Sequence, residues 1–258
     1  MISPLAYIHP NAKIGKNVTV EPFAYIQGDV EIGDGTWIGP NSVTMDGARI
    51  GKNCRIFPGA VISGIPQDLK FEGEMTTTEI GDNTTIREFV TVNRGTKDKW
   101  KTVVGRNCLL MAYVHIAHDC ILGDHVILAN SVNVAGHVTI GDWAILEGYV
   151  GVSQFIQIGA HSFVAGQCGV RKNVPPFVKA AREPLAYVGV NSVGMRRRGF
   201  SNESILQIED IYRTLYVKGL NVSNAVDVIE KEAPDSPEKN QILEFIRSSK
   251  DGIIRGMV

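Results

Sequence analysis

Every sixth residue from Ile8 onward is aliphatic: Ile8, Ile14, Val20, Ile26, Ile32, Ile38, Ile50, Ile56 and Ile62, with Thr44 the one exception in that run. Four residues after each of the first nine beats stands a small or β-branched residue: Ala12, Val18, Ala24, Val30, Thr36, Ser42, Ala48, Cys54, Ala60. The beat resumes at Ile80, Ile86 and Val92, and again from Val104 through Leu128 and Ile158 to Val170. A helix needs an apolar residue every three to four positions, and a half-buried strand needs strict alternation. A lone aliphatic every six, followed by Gly, Asn, Asp or Pro, fits neither. Ile14-Gly15-Lys16-Asn17 and Ile32-Gly33-Asp34-Gly35 instead join one buried side chain to residues that accept sharp bends and positive φ. The expected fold is mainly β, a parallel β-helix of hexapeptide repeats. Three hexads make one triangular coil, and coils stack as parallel strands about 4.8 Å apart.

Two breaks and a tail complete the organisation. Residues 63–78 hold Pro66-Gln67-Asp68-Leu69-Lys70, and residues 94–102 hold the charged run Lys97-Asp98-Lys99-Trp100-Lys101. Insertions in a solenoid loop out on one face, often the binding face. After Pro175-Pro176 the pattern becomes helical. Ser201 is a fitting N-cap for a helix carrying Leu206, Ile208, Ile211, Tyr212, Leu215 and Tyr216 and closed by Gly219. A short helix follows Ser223, and Ser236-Pro237 opens another with Ile242, Leu243, Phe245 and Ile246 inward. The expected division is a solenoid over 1–190 and a helical domain over 191–258 that covers the last coil.

Composition narrows the function. A net charge of −1 over 258 residues gives no basic footprint for nucleic acid. No apolar run is long enough to cross a bilayer and the polar start does not read as a signal peptide, so the expected compartment is the cytoplasm. Cys54, Cys108, Cys120 and Cys168 all fall at the small position of their hexads and read as core fillers. No dinucleotide fingerprint, phosphate loop or nucleophile elbow is present.

The chemistry-bearing residues concentrate in Tyr113-Val114-His115-Ile116-Ala117-His118-Asp119-Cys120. One coil on from His118 comes Gly136, with His137 beside it, and one coil further comes Gln154. An imidazole can remove a proton from a hydroxyl, and a glycine amide one strand away can donate to a developing oxyanion. That is a minimal apparatus for acyl transfer to an alcohol. A metal site of His115, His118 and His137 is the rival reading, and a chance meeting of surface histidines is the bland one. His125 and His161 share one hexad phase and read as exposed turn residues; His9 lies at the first, fraying coil.

These residues carry a resemblance that spans the chain. Gln67-Asp68-Leu69-Lys70 with Gly73-Glu74, Arg94-Gly95-Thr96, His115 to Cys120, Ala135-Gly136-His137, Gln154-Phe155, Ile158-Gly159-Ala160-His161, and Asn191 with Arg197-Arg198-Gly199-Phe200-Ser201 together resemble the UDP-N-acetylglucosamine O-acyltransferases that begin lipid A biosynthesis. These belong to the left-handed β-helix hexapeptide acyltransferases, and handedness is taken from that likeness. The resemblance implies His118 as general base, Asp119 as its carboxylate and Gly136 as the oxyanion amide. It implies that Gln67, Asp68 and Lys70 contact sugar and acyl groups. His115, His137 and Gln154 would line the sugar–nucleotide cleft, and Asn191 and Arg197 would lie near the nucleotide and the phosphopantetheine. Gly166 would gate the acyl groove.

It further implies a homotrimer with sites between subunits, UDP-N-acetylglucosamine as acceptor, an R-3-hydroxyacyl chain on acyl carrier protein as donor, and no metal or redox cofactor. Arg171, Lys172, Lys179, Arg182 and Arg196-Arg197-Arg198 would attract the acidic carrier. Three positions depart from the family pattern: Asn93 and Ser153 where better-known members have histidines, and Val193 where they have a glutamate. A related N-acyltransferase, a metal-dependent carbonic anhydrase on the same solenoid and a non-catalytic scaffold are the alternatives.

Overall fold

A computed structural model describes residues 1–256. The hexads become two-residue strands whose first side chain faces outward and whose second faces in, as in Thr19–Val20 and Trp37–Ile38. They stack into three flat faces. Face I starts at Tyr7–Ile8 and has nine strands, face II starts at Lys13–Ile14 and has eight, and face III starts at Thr19–Val20 and has eleven. Registers advance by one coil of eighteen residues, Tyr7 on Tyr25 and Ile8 on Ile26, and the pairing is parallel up to the tail. The beat residues fill the prism: Ile26, Ile38, Ile56, Ile86, Leu110 and Leu128 are fully buried. Thr44, the break in the beat, is buried too, and its hydroxyl has no partner.

The corners hold a regular surprise. The residue three after most beats is left-handed, and Gly or Asn fills only some of these seats. Phe23, Phe89, Tyr113, His125, Trp143, Tyr149 and Phe155 adopt φ of 56–64° or 65° there. Bulky residues disfavour that conformation. Stacking between coils offsets the cost: Phe89 lies on Tyr113 at 5.3 Å and His125 on Trp143 at 3.8 Å.

Both insertions leave the corner between faces I and II. The strands reach further into them than the sequence boundaries suggest. Val61–Gly64 pairs with Thr91–Asn93, and Thr77–Ile80 pairs with Lys101–Val104, so the loops themselves are 65–76 and 94–100.

The tail begins with an antiparallel hairpin, Val178–Ala181 and Ala186–Val190, which extends face III together with Arg255–Gly256. Four helices follow: α1 (Ser192–Arg197), α2 (Asn202–Tyr216), α3 (Val222–Glu232) and α4 (Pro237–Ser248). Ser201, Asn221 and Ser236 each accept a backbone N–H as N-caps of the last three. Ile208, Ile211, Tyr212 and Leu215 of α2 are buried as expected, but Leu206 is exposed and Ile205 takes its place on the buried side. The short α1 had no hydrophobic periodicity to announce it. Lys239 is buried, its ammonium donating to the carbonyls of Glu230 and Ala233 at 3.0 and 2.7 Å and to Asp235, which closes the end of α3. Tyr212 donates from its hydroxyl to the carbonyl of Pro176 and ties α2 to the last coil.

Candidate active site

The I–II corner brings His118, Asp119, Gly136 and His137 together. Asp119 occupies a left-handed seat (φ 60°) and is fully buried, with His118 only 5% exposed beside it. The His118 Nδ1 lies 2.8 Å from Asp119 Oδ2. Burial pushes the Asp119 carboxyl up, but hydrogen bonds from Thr96, His118 and the amides of Thr96 and Lys99 outweigh it and hold it below the usual range. As a carboxylate Asp119 can only accept, so His118 carries its proton on Nδ1 and leaves Nε2 as the basic nitrogen. Nε2 faces loop 65–76, with Asp68 Oδ2 at 4.0 Å.

Gly136 is placed by sterics. A Cβ there would fall 2.7 Å from His118 Cε1 and 2.8 Å from Nε2, closer than side chains tolerate. The amide matters as much. At the equivalent positions of the II–III corner, the N–H groups of Lys16, Lys52, Arg106 and Asp124 each donate to an aspartate one coil on, at 2.7–2.9 Å. This amide position therefore binds anionic oxygen wherever one is supplied. Among the described residues nothing accepts from the N–H of Gly136.

His137 stands edge-on to His118 at 4.9 Å, stacks on Phe155 at 4.5 Å and meets Asp98 Oδ2 through Nδ1 at 3.0 Å. His115 is one strand away with Nδ1 2.7 Å from Thr91 Oγ1. Burial, and then the neighbouring His118, pull it below the usual imidazole range. Gln67, Lys70 and Gln154 are exposed along the same corner. The rival triad of histidines is not formed: His118, Asp119 and His137 are the three whose ligand atoms lie within 4.8 Å, while the His115 nitrogen turns to Thr91. In that trio both Asp119 oxygens already accept two hydrogen bonds each.

Other predicted residues lie elsewhere. Gly166 sits in the III–I corner, its N–H donating to Glu147 Oε2 at 3.0 Å. Asn191 caps α1 and donates from Nδ2 to the His161 carbonyl at 2.8 Å, which fixes it against the II–III corner; Arg197 is exposed at the end of that helix. His125 and His161 are half-buried rather than exposed, because Trp143 lies between them and Arg198 sits over its ring at 5.1 Å. Part of the basic cluster is committed: Arg171 pairs with Glu183, and Lys172 donates to the Asp251 carbonyl. Of the departures, Asn93 ties down the first loop by donating to the Ile65 carbonyl at 3.2 Å, while Ser153 and Val193 are exposed. Sequence reasoning missed Thr96, Asp98 and Lys99. The Arg94-Gly95-Thr96 motif and the charged run after it were the available signals.

A family model described as "Udp N-acetylglucosamine O-acyltransferase; Domain 2" matches residues 173–254, and one for bacterial transferase hexapeptide repeats matches 29–64 and 101–136. An acyl-[acyl-carrier-protein]–UDP-N-acetylglucosamine O-acyltransferase of Sulfurihydrogenibium is 53% identical over 253 residues, 98% of this chain and 93% of its own. This chain belongs to the UDP-N-acetylglucosamine O-acyltransferase family. Its counterpart in Thermodesulfovibrio yellowstonii is 44% identical over 98% of this chain and 99% of its own. A solved UDP-N-acetylglucosamine acyltransferase from Bacteroides fragilis superposes with a TM-score of 0.98 at 53% identity, covering 99% of this chain and all of that one. Among the described residues no helix is long and apolar enough to cross a membrane.

Proposed function

We propose that this enzyme moves an R-3-hydroxyacyl chain from acyl carrier protein to the 3-hydroxyl of the glucosamine of UDP-N-acetylglucosamine, the first step of lipid A biosynthesis. The buried His118–Asp119 pair beside the unoccupied Gly136 amide carries the reading. His118 Nε2 takes the proton of the sugar hydroxyl as its oxygen attacks the thioester carbonyl. The carbonyl π pair moves onto oxygen, and the Gly136 N–H stabilises that charge. Collapse restores the carbonyl and expels the pantetheine sulfur, which takes the proton back from His118. No metal or redox cofactor enters these steps.

Gln67, Asp68 and Lys70 on the loop over Nε2, with His115, His137 and Gln154 on the corner, bind sugar and acyl groups. Gly166 and the Asn191–Arg197 segment belong to other corners of the same prism, so one chain cannot wrap them around one substrate. A homotrimer, with each cleft between neighbouring prisms, supplies the missing walls. Arg197, exposed and cationic, contacts the acidic donor, and the site of action is the cytoplasm.

The test is an assay of the purified enzyme with UDP-N-acetylglucosamine and a panel of 3-hydroxyacyl carrier proteins. The expected result is ester formation at the 3-hydroxyl, lowered roughly 10²-fold or more in His118→Ala. A folded His118→Ala variant with near-normal turnover would overturn the assignment of the base.

A further inference from the structure

The loop 94–100 is built around one buried anion. Asp119 Oδ1 accepts from the amides of Thr96 at 3.0 Å and Lys99 at 3.1 Å, and Oδ2 accepts from Thr96 Oγ1 at 2.7 Å and from His118 Nδ1. The backbone of Asp119 is held as well: its N–H donates to Thr102 Oγ1 at 2.8 Å, and its carbonyl accepts from Lys99 Nζ at 3.0 Å. The loop is itself bolted down. Thr76 Oγ1 donates to the Gly95 carbonyl at 2.6 Å, Gly95 donates to the Thr77 carbonyl, and Trp100 donates to the Thr96 carbonyl. A Cβ on Gly95 would collide with the backbone of Lys101, so the closure requires glycine.

We propose that Thr96 is a positioning residue for acyl transfer, acting through Asp119 to keep the His118 proton on Nδ1 and Nε2 free. This rests on the reading of His118 as the base. A buried carboxylate survives only when its lone pairs are satisfied, and Thr96 supplies two of the four donors. With the hydroxyl removed, Oδ2 keeps His118 alone. Uptake of one proton from solvent by that oxygen turns the carboxyl from acceptor into donor, so it hands a hydrogen bond to Nδ1. The single imidazole proton then moves to Nε2, where it blocks the nitrogen that must accept from the sugar hydroxyl. Thr96 is 6% exposed and spends both its amide and its hydroxyl on the Asp119 carboxylate, so it acts on orientation and charge rather than by touching substrate.

The experiment compares full-length Thr96→Val with Thr96→Ser. Valine keeps the shape and deletes the hydroxyl; serine retains it. Expected for valine is a loss of roughly 10- to 100-fold in kcat, the scale on which supporting groups and tautomer control act. Both KM values should stay within about twofold, and serine should restore most of the rate. In ¹⁵N spectra of the imidazoles, His118 of the wild type should carry its proton on Nδ1, and valine should shift it toward Nε2. A wild-type spectrum with the proton on Nε2 overturns the proposal even if the valine variant does not fold. So does a folded valine variant with unchanged kcat, or one whose loss lies wholly in KM. Normal activity in His118→Ala would instead refute the base assignment, so the two failures are separable.

Discussion

The I–II and II–III corners share one backbone, one hexad phase and the same left-handed seats, yet their acceptors are distributed differently. In the II–III corner Asp34, Asp82, Asp124 and Asp142 reach back and occupy the amides of the preceding coil. His125, Trp143, His161 and Phe177 then close the outer edge with a column of rings. In the I–II corner the matching positions are His118, Gly136 and Gln154, and no carboxylate reaches the Gly136 amide. The same donor that stabilises the fold in one corner is left for an oxygen from outside in the other. A catalytic corner here is a structural corner with its internal acceptor removed.

The strongest test of that contrast is Gly136→Ala. The added carbon displaces the His118 ring, so turnover should fall roughly 10²-fold, comparable to loss of an oxyanion donor, while thermal unfolding confirms the fold. Wild-type turnover in Gly136→Ala would break the equation of openness with catalysis.

The third corner sharpens the comparison next. A Cβ on Gly166 would lie 3.1 Å from the Gly148 carbonyl and 3.6 Å from Glu147 Cβ, so a methionine there must extend away from that preceding coil. Gly166→Met should shift donor preference toward shorter chains, by about fourfold for each methylene denied burial at about 0.8 kcal/mol. Competition between 3-hydroxyacyl carrier proteins of different length measures it; an unmoved ratio would remove Gly166 as the gate.

The smallest effect lies in the sealed corner. Burial, then the Arg198 charge, pull His161 down to about 4, with Asp142 opposing. The unfolded chain takes up a proton near 6.5 and the folded chain only near 4, so stability is full above that window and falls as pH drops through it. His161→Asn, with a residue that also tolerates the left-handed seat, should flatten the fall in melting temperature between pH 6.5 and 4 and leave turnover unchanged. An unaltered slope would show that other groups set it.

Much of this was legible in the residues. The beat of Ile8 to Val170 specifies which side chains face inward, because a period of six with one aliphatic permits a single stacking solution. Counting eighteen from His118 reached Gly136 and Gln154, and Asp119 stood next to His118 in the sequence. The contacts of Thr96, Asp98 and Lys99 did not, because a loop outside the repeat has no phase from which to read its partners. Trp143 was overlooked between His125 and His161 since bulky residues are not expected at positive φ; only stacking across coils explains it. Leu206 shows the limit for helices: adjacent aliphatics point about 100° apart, and of Ile205 and Leu206 it is Ile205 that continues the 3–4 spacing of Ile208, Ile211, Tyr212 and Leu215.

In a stacked prism, height along the axis is counted rather than continuous, one step of about 4.8 Å per coil. Gly166 stands between two and three steps beyond His118. Excising one complete coil between them would lower the tail and its hairpin by a single graduation, with each face, corner and seat meeting an equivalent neighbour. Geometry that most enzymes adjust by bending loops is therefore adjustable here by whole-number edits to the chain.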